Sequence, residues 1–376
     1  MSQDKLIELR HSLHAFPEIS CHETQTRKKI KSFLETHTDA EFVEFAGTAL
    51  LAIFDSGNEG KNILFRAELD ALPIQECNDF HYHSQVEGVS HMCGHDGHST
   101  ILCGLALKLQ KEKPQTGKVM LIFQPAEENG LGAKAVMESE EFKNHYPDYI
   151  FALHNLPGFP LHEVIVRKRG FTAAVKTLVL KFHGKTAHAA EPENGINPAM
   201  VIADIIKKSS KLTHNDPMSD EFQLITPVYA NLGDLAYGIS AGYGELHLTL
   251  RAWKQQAMNK LGNDLLKYVE KACKNAEVEL EYEWAEVFAS TENNYDAVDY
   301  ICEAIEKLDL EYHHREYPFK WGEDFGLFTQ NFKGAMFGLG AGEDMPALHN
   351  PDYDFPDELI ETGASLFNEI RKIIQS

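Results

Sequence analysis

The chain of 376 residues carries 57 Asp and Glu against 35 Lys and Arg, a net charge of −22, with 43% hydrophobic residues. That length suits one large domain or two, and that apolar content suffices for a sizeable buried core. The charge excludes the basic clusters by which proteins hold nucleic-acid phosphates or anionic membranes, so neither is expected as a partner. No apolar run reaches the length of a membrane span, and Met1-Ser2-Gln3-Asp4-Lys5 leads straight into a helical pattern rather than a leader. Cys21, Cys77, Cys93, Cys103, Cys273 and Cys302 show no paired spacing, so reduced thiols and a cytoplasmic location are expected.

Apolar Leu6, Ile7, Leu9, Leu13 and Phe16 recur near helical spacing and Pro17 ends that helix; a second covers 23–34. Strand-like runs follow at 49–54 and 62–69, and 70–90 is loop-like. Beyond a Cys/His cluster, Ser99-Thr100 is expected to cap a helix carrying Ile101, Leu102, Leu105, Leu107 and Leu109. Apolar strands at 118–123 and 149–153 finish in Gln124-Pro125-Ala126-Glu127-Glu128 and in His154-Asn155. The alternation predicts an α/β domain with a mixed, mostly parallel sheet and helices on both faces. In such folds sites form outside the carboxyl ends of the strands.

The texture changes near Phe171. A strand at 175–183 puts Leu178, Leu180 and Phe182 on one face and Thr177, Val179 and Lys181 on the other. A helix at 198–211, a strand at 244–253, a helix at 256–276 and a strand at 277–284 complete an α+β set with antiparallel pairing. The first texture then returns, with a helix at 297–308, a strand at 333–339 and a final helix from Asp357 to Ile374. The expected organisation is one domain of 1–170 and 289–376 with a second, 171–288, inserted in it.

The segment Met92-Cys93-Gly94-His95-Asp96-Gly97-His98 places a thiol and two imidazoles close together with glycines between them. Thiolate and neutral imidazole suit borderline-soft divalent ions such as Zn²⁺, Mn²⁺ or Co²⁺, and disfavour Mg²⁺ and Ca²⁺. Asp96 can ligate or can back a His N–H. Adjacent side chains of extended backbone point opposite ways, so Glu127 and Glu128 are expected to do different jobs, one on metal and one on reacting water. The plainer reading is a helix start rich in acids. His154 and His349, each taken alone, read as hydrogen-bonded structural residues, and His188 as a surface-loop residue. His98 is expected to begin a helix or to back a ligand, and His81, His83 and His91 to be loop residues. The run Gly338-Leu339-Gly340-Ala341-Gly342 is expected to form a tight turn, since no βαβ context supports a nucleotide loop.

Eight segments run in one order across the chain: Arg10-His11-Ser12-Leu13-His14-Ala15-Phe16-Pro17-Glu18, the stretch from Arg66 to Glu76, the Cys93 to His98 cluster, Gln124 to Glu128, His154, Ala187-His188-Ala189-Ala190, Gly322-Glu323-Asp324-Phe325 and Leu348-His349-Asn350-Pro351. Through them the chain resembles the metal-dependent amidohydrolases and peptidases of the aminoacylase/carboxypeptidase superfamily, in the branch of hippurate hydrolases and N-acyl amino acid amidohydrolases. The resemblance implies two divalent ions (Mn, Zn, Co or Ni) held by Cys93, His95, Glu128, His154 and His349, with Asp70 nearby to orient a ligand. It implies Glu127 as general base and then acid in cleaving the amide of an N-acyl amino acid. It also implies that 171–288 is a lid and dimerisation domain of a homodimer, from which His188 reaches the partner's site to stabilise the oxyanion. Dipeptidase or carboxypeptidase action on short peptides would share every catalytic residue, and a non-catalytic binding homologue would have lost one. Two departures bear on specificity: Ala236-Tyr237-Gly238-Ile239-Ser240 replaces an Asn-Val-Ile-Pro type segment, and Arg169 to Ala174 differs from the usual Gly/Met/Ala-rich approach to the lid.

Overall fold

A computed structural model describes residues 3–376, which divide into two compact units. The first comprises 3–171, Thr291–Glu316 and Asp324–Ser376; the second comprises Thr172–Ser290 and Tyr317–Glu323. Among the described residues no helix is long and apolar enough to cross a membrane.

The first unit is built on an eight-stranded sheet. Its strands run in the order Glu41–Phe45, Ala49–Asp55, Lys118–Gln124, Ile63–Glu68, Tyr149–Leu156, Lys333–Gly340, Val164–Val166 and Tyr312–His314. The four strands 118–124, 63–68, 149–156 and 333–340 are mutually parallel, and antiparallel neighbours flank them. Their near-continuous apolar sequences reflect burial on both faces. Ile63, Phe65, Val119, Leu121, Phe151 and Phe337 share one cluster with the helices Gln3–Ala15, His95–Lys111, Tyr295–Lys307 and Leu359–Ile374. The alternating residues Leu64, Met120, Ile122, Ile150 and Met336 are equally buried. The short helices Gly132–Glu138 and Gly326–Thr329 pack against strands 118–124 and 333–340.

The helix after the Cys/His cluster begins at His95, four residues before the expected Ser99-Thr100 cap. Neither hydroxyl caps it: Ser99 Oγ donates to Glu68 O and Thr100 Oγ1 to Asp96 O. Gly94 occupies the position before the helix, at φ +88°, so a left-handed glycine starts what a hydroxyl was expected to start.

The second unit is a four-stranded antiparallel sheet in the order Gln223–Leu232, Tyr243–Ala252, Ala174–His183 and Glu279–Phe288. Leu178, Leu180 and Phe182 face the helices Ala199–Leu212 and Gln255–Asn275 in a core of their own. The segment Tyr317–Glu323 belongs here as well, where Phe319 O accepts the Ala173 N–H at 2.9 Å.

Candidate metal centre

Glu68, Gln124 and Leu156 end parallel strands at the same edge of the sheet, and the candidate donors lie on or just past them. His154 is within its strand. Glu127 and Glu128 are not in extended backbone, as the alternation argument required. They sit in a turn opened by Ala126 at φ +55°, whose N–H is held by Glu23 Oε1 at 2.9 Å. The plainer reading fails too, because the next helix starts only at Gly132. Cys93 precedes the left-handed Gly94, where a Cβ would fall 2.8 Å from the Asn155 side chain. His349 is itself left-handed, at φ +67°, its N–H bonded to Met92 O at 2.8 Å.

These segments bring donors together in three overlapping groups, Cys93 with His95 and His154, Cys93 with Glu128 and His349, and His95 with Glu127 and Glu128. Cys93 Sγ lies 3.5 Å from His154 Nε2. His95 Nε2 and His349 Nε2 each lie 3.8 Å from the Glu128 carboxylate. In both buried imidazoles Nδ1 faces a carbonyl: that of His95 donates to Asp70 O at 2.9 Å, that of His154 to Asn155 O at 2.8 Å. A carbonyl only accepts, so Nδ1 carries a proton in both rings and Nε2 is the atom left to face the other donors. His95 Nε2 is buried and makes no hydrogen bond. One thiol, three imidazoles and carboxylates across these overlapping groups fit borderline-soft divalent ions.

The electrostatics fit a site built for a cation: although burial opposes it, Cys93 and Asp70 raise His95 well above the usual imidazole range, so an ion must displace a proton there. Burial, then His98, holds His154 well below the usual imidazole range, and burial, then His95, lowers His349, so both imidazoles are neutral. Burial raises the Cys93 thiol far above its ordinary value and Glu128 adds to it, so a cation must displace the thiol proton.

Residues 64–372 match the model of peptidase family M20/M25/M40. The chain belongs to this family. It is a hydrolase of the M20/M25/M40 type, with the family's mixed, mostly parallel sheet and inserted unit. The hippurate hydrolase of Campylobacter jejuni is 29% identical over 372 residues, covering 98% of this chain and 96% of that one. The N-acetylcysteine deacetylase of Bacillus subtilis is 27% identical over 372 residues, covering 98% and 97%. A solved Bacillus subtilis structure, described as a dinuclear metal binding peptidase from the M20 family, superposes with a TM-score of 0.85 at 26% identity, covering 99% of this chain and 98% of that chain.

The remaining residues of this M20/M25/M40 hydrolase fall behind or away from the donors. Asp70 Oδ2 accepts the Glu128 N–H at 3.0 Å and the Ser20 hydroxyl at 2.7 Å, while Oδ1 is 3.3 Å from His95 Nδ1. His98, in the first turn of the helix, has both nitrogens engaged, Nδ1 on Glu68 at 2.8 Å and Nε2 on Asn155 Oδ1 at 2.5 Å. Asp96 turns away to His14 Nδ1 at 2.9 Å and Arg10 at 3.6 Å. His81, His83 and His91 all lie in irregular backbone, as expected, with His91 buried. His188 stands on the second unit, exposed, its Nδ1 accepting the Ala190 N–H at 3.1 Å. Periodicity gave no hint of the buried polar groups Arg66, Glu68, Asn155 and Asp324; the signal available was that Arg66, Glu68 and Asp324 stand in segments matching the family.

Proposed function

We propose that this hydrolase cleaves the amide bond of N-acyl amino acids using two divalent ions. Cys93, His95, Glu128, His154 and His349 would hold them, with Asp70 fixing His95 and Glu128 from behind. Such ions, when bound, lower the pKa of water and polarise a carbonyl. Glu127, buried but not committed to the same donor set as His349, accepts the proton of the attacking water and returns it to the departing amine. His188 is assigned the oxyanion, reached in the site of a partner subunit. The strand Gln223–Leu232 supports a homodimer through the inserted unit, because it is a sheet edge that exposes Val228, Tyr229 and Leu232.

The observation that carries this reading is the pair of Nδ1-anchored imidazoles whose Nε2 atoms meet a buried thiol and Glu128. The relatives described as a hippurate hydrolase and an N-acetylcysteine deacetylase support an N-acyl amino acid as substrate. Short peptides are the second reading, supported by the structural neighbour described as a peptidase.

The test is amine release from N-acetyl, N-benzoyl and dipeptide substrates by metal-stripped protein resupplied with Mn²⁺, Zn²⁺, Co²⁺ or Ni²⁺. Release that needs metal and falls at least about 100-fold in Glu127→Gln is expected, with N-acyl amino acids preferred. A preference for dipeptides would move the assignment to the second reading, and release indifferent to metal would overturn both.

A further inference from the structure

Asp324 is buried in the first unit within a network that the catalytic reading leaves unused. Its carboxylate accepts from Gln124 Nε2 at 3.0 and 2.8 Å, from the Ala133 N–H at 2.8 Å and from Arg66 Nη2 at 2.6 Å. Arg66 Nε in turn donates to Gln124 Oε1 at 3.0 Å. Gln124 is the last residue of its strand and Ala133 stands in the first turn of the next helix. Between them lies the turn that carries Glu127 and Glu128. One carboxylate therefore bonds both ends of that turn. The backbone N–H of Asp324 also donates to Glu127 Oε1, at 3.3 Å.

We infer that Asp324 is a positioning residue for the general base, closing the 125–132 turn at both ends and aiming the Glu127 carboxylate through its own N–H. The inference rests on Glu127 acting as the base. A purely structural ion pair with Arg66 would need no donor from either end of this turn. The 3.3 Å contact is long for a hydrogen bond, so it orients the carboxylate without gripping it. A base must sit within hydrogen-bond reach of the proton it takes, and a displacement of about 1 Å costs up to about 100-fold in rate.

The experiment uses the metal-loaded full chain, with kcat, KM, bound metal and melting temperature measured for each variant. Asp324→Asn keeps the side chain's shape and the backbone N–H but loses the charge and half of the acceptor capacity. Gln124→Met removes the amide donor to Asp324, together with the Oε1 acceptor of Arg66 Nε, without changing any buried charge, and so tests the same staple if Asp324→Asn does not fold. The expected result is a fall in kcat of roughly 10- to 100-fold for Asp324→Asn and a smaller fall for Gln124→Met, with KM and bound metal unchanged. In a Glu127→Gln background neither substitution lowers the residual rate further, because residues acting as one unit are not additive. A folded variant with kcat within about twofold of the parent, or an equal loss in both backgrounds, overturns the inference. Glu127→Gln with unimpaired kcat would instead overturn the base assignment itself, whatever Asp324 does.

Discussion

His14 and His91, with ring centroids 6.3 Å apart, titrate in opposite directions for reasons that their neighbours explain. Burial works against the charged form of His14, but hydrogen bonds to Asp96 and Glu76 outweigh it and push its pKa up to about 9. His91 is buried without a hydrogen bond on either nitrogen, and burial pushes it down to about 4 despite the nearby Asp96. Unfolded, both return to about 6.5. The raised His14 stabilises the fold fully below 6.5, and that contribution is lost as pH climbs through 9. The depressed His91 contributes nothing to stability at low pH, and its cost is relieved as pH rises from 4 to 6.5. Each is worth on the order of 3 kcal/mol. Urea melts of metal-free protein should therefore give highest stability near pH 6.5, and His14→Gln should flatten the alkaline limb. An unchanged alkaline limb in that variant would show that another group governs it.

Single elements show where sequence patterns suffice. Period-two alternation over 175–183 gave the buried face of Leu178, Leu180 and Phe182 directly, because that strand is covered on one face more than the other. The helix beginning at His95 was misplaced because 14 of its 17 residues are buried, which leaves no polar face to mark its start. The strand Gln223–Leu232 was missed because Pro227 and a register shift before Tyr229 interrupt its alternation. That same strand is the exposed edge on which the dimer reading leans. Tyr229→Glu puts charge on it without touching the metal donors, so sedimentation should show a dimer for the parent and a monomer for the variant, with bound metal unchanged. A parent that is monomeric, or a variant still dimeric, would move the interface elsewhere.

At the scale of the whole molecule, the candidate site gathers residues 70, 93, 95, 127, 128, 154 and 349, spread over most of the chain. Parallel strand topology achieves this by bringing the carboxyl ends of strands distant in sequence to one edge. No local pattern reports such convergence, so beyond Cys93, His95 and the Glu127-Glu128 pair, which their own residue chemistry singled out, the proposed donor set came only from ordered resemblance along the chain. Different duties for Glu127 and Glu128 were expected from extended backbone, whereas a left-handed Ala126 creates the turn that carries them. The buried groups behind the donors (Arg66, Glu68, Asn155 and Asp324) stayed unassigned because a polar residue in an apolar strand reads the same whether it is structural or functional.

Titrating metal-stripped protein with Zn²⁺ or Mn²⁺, while counting bound ions and released protons together, tests the central claim most directly. Two ions per chain are expected, as in the dinuclear relative, with proton release because the buried Cys93 thiol must ionise to bind. Cys93→Ser should lose high-affinity binding. Absence of saturable binding, or binding indifferent to Cys93, would contradict the account.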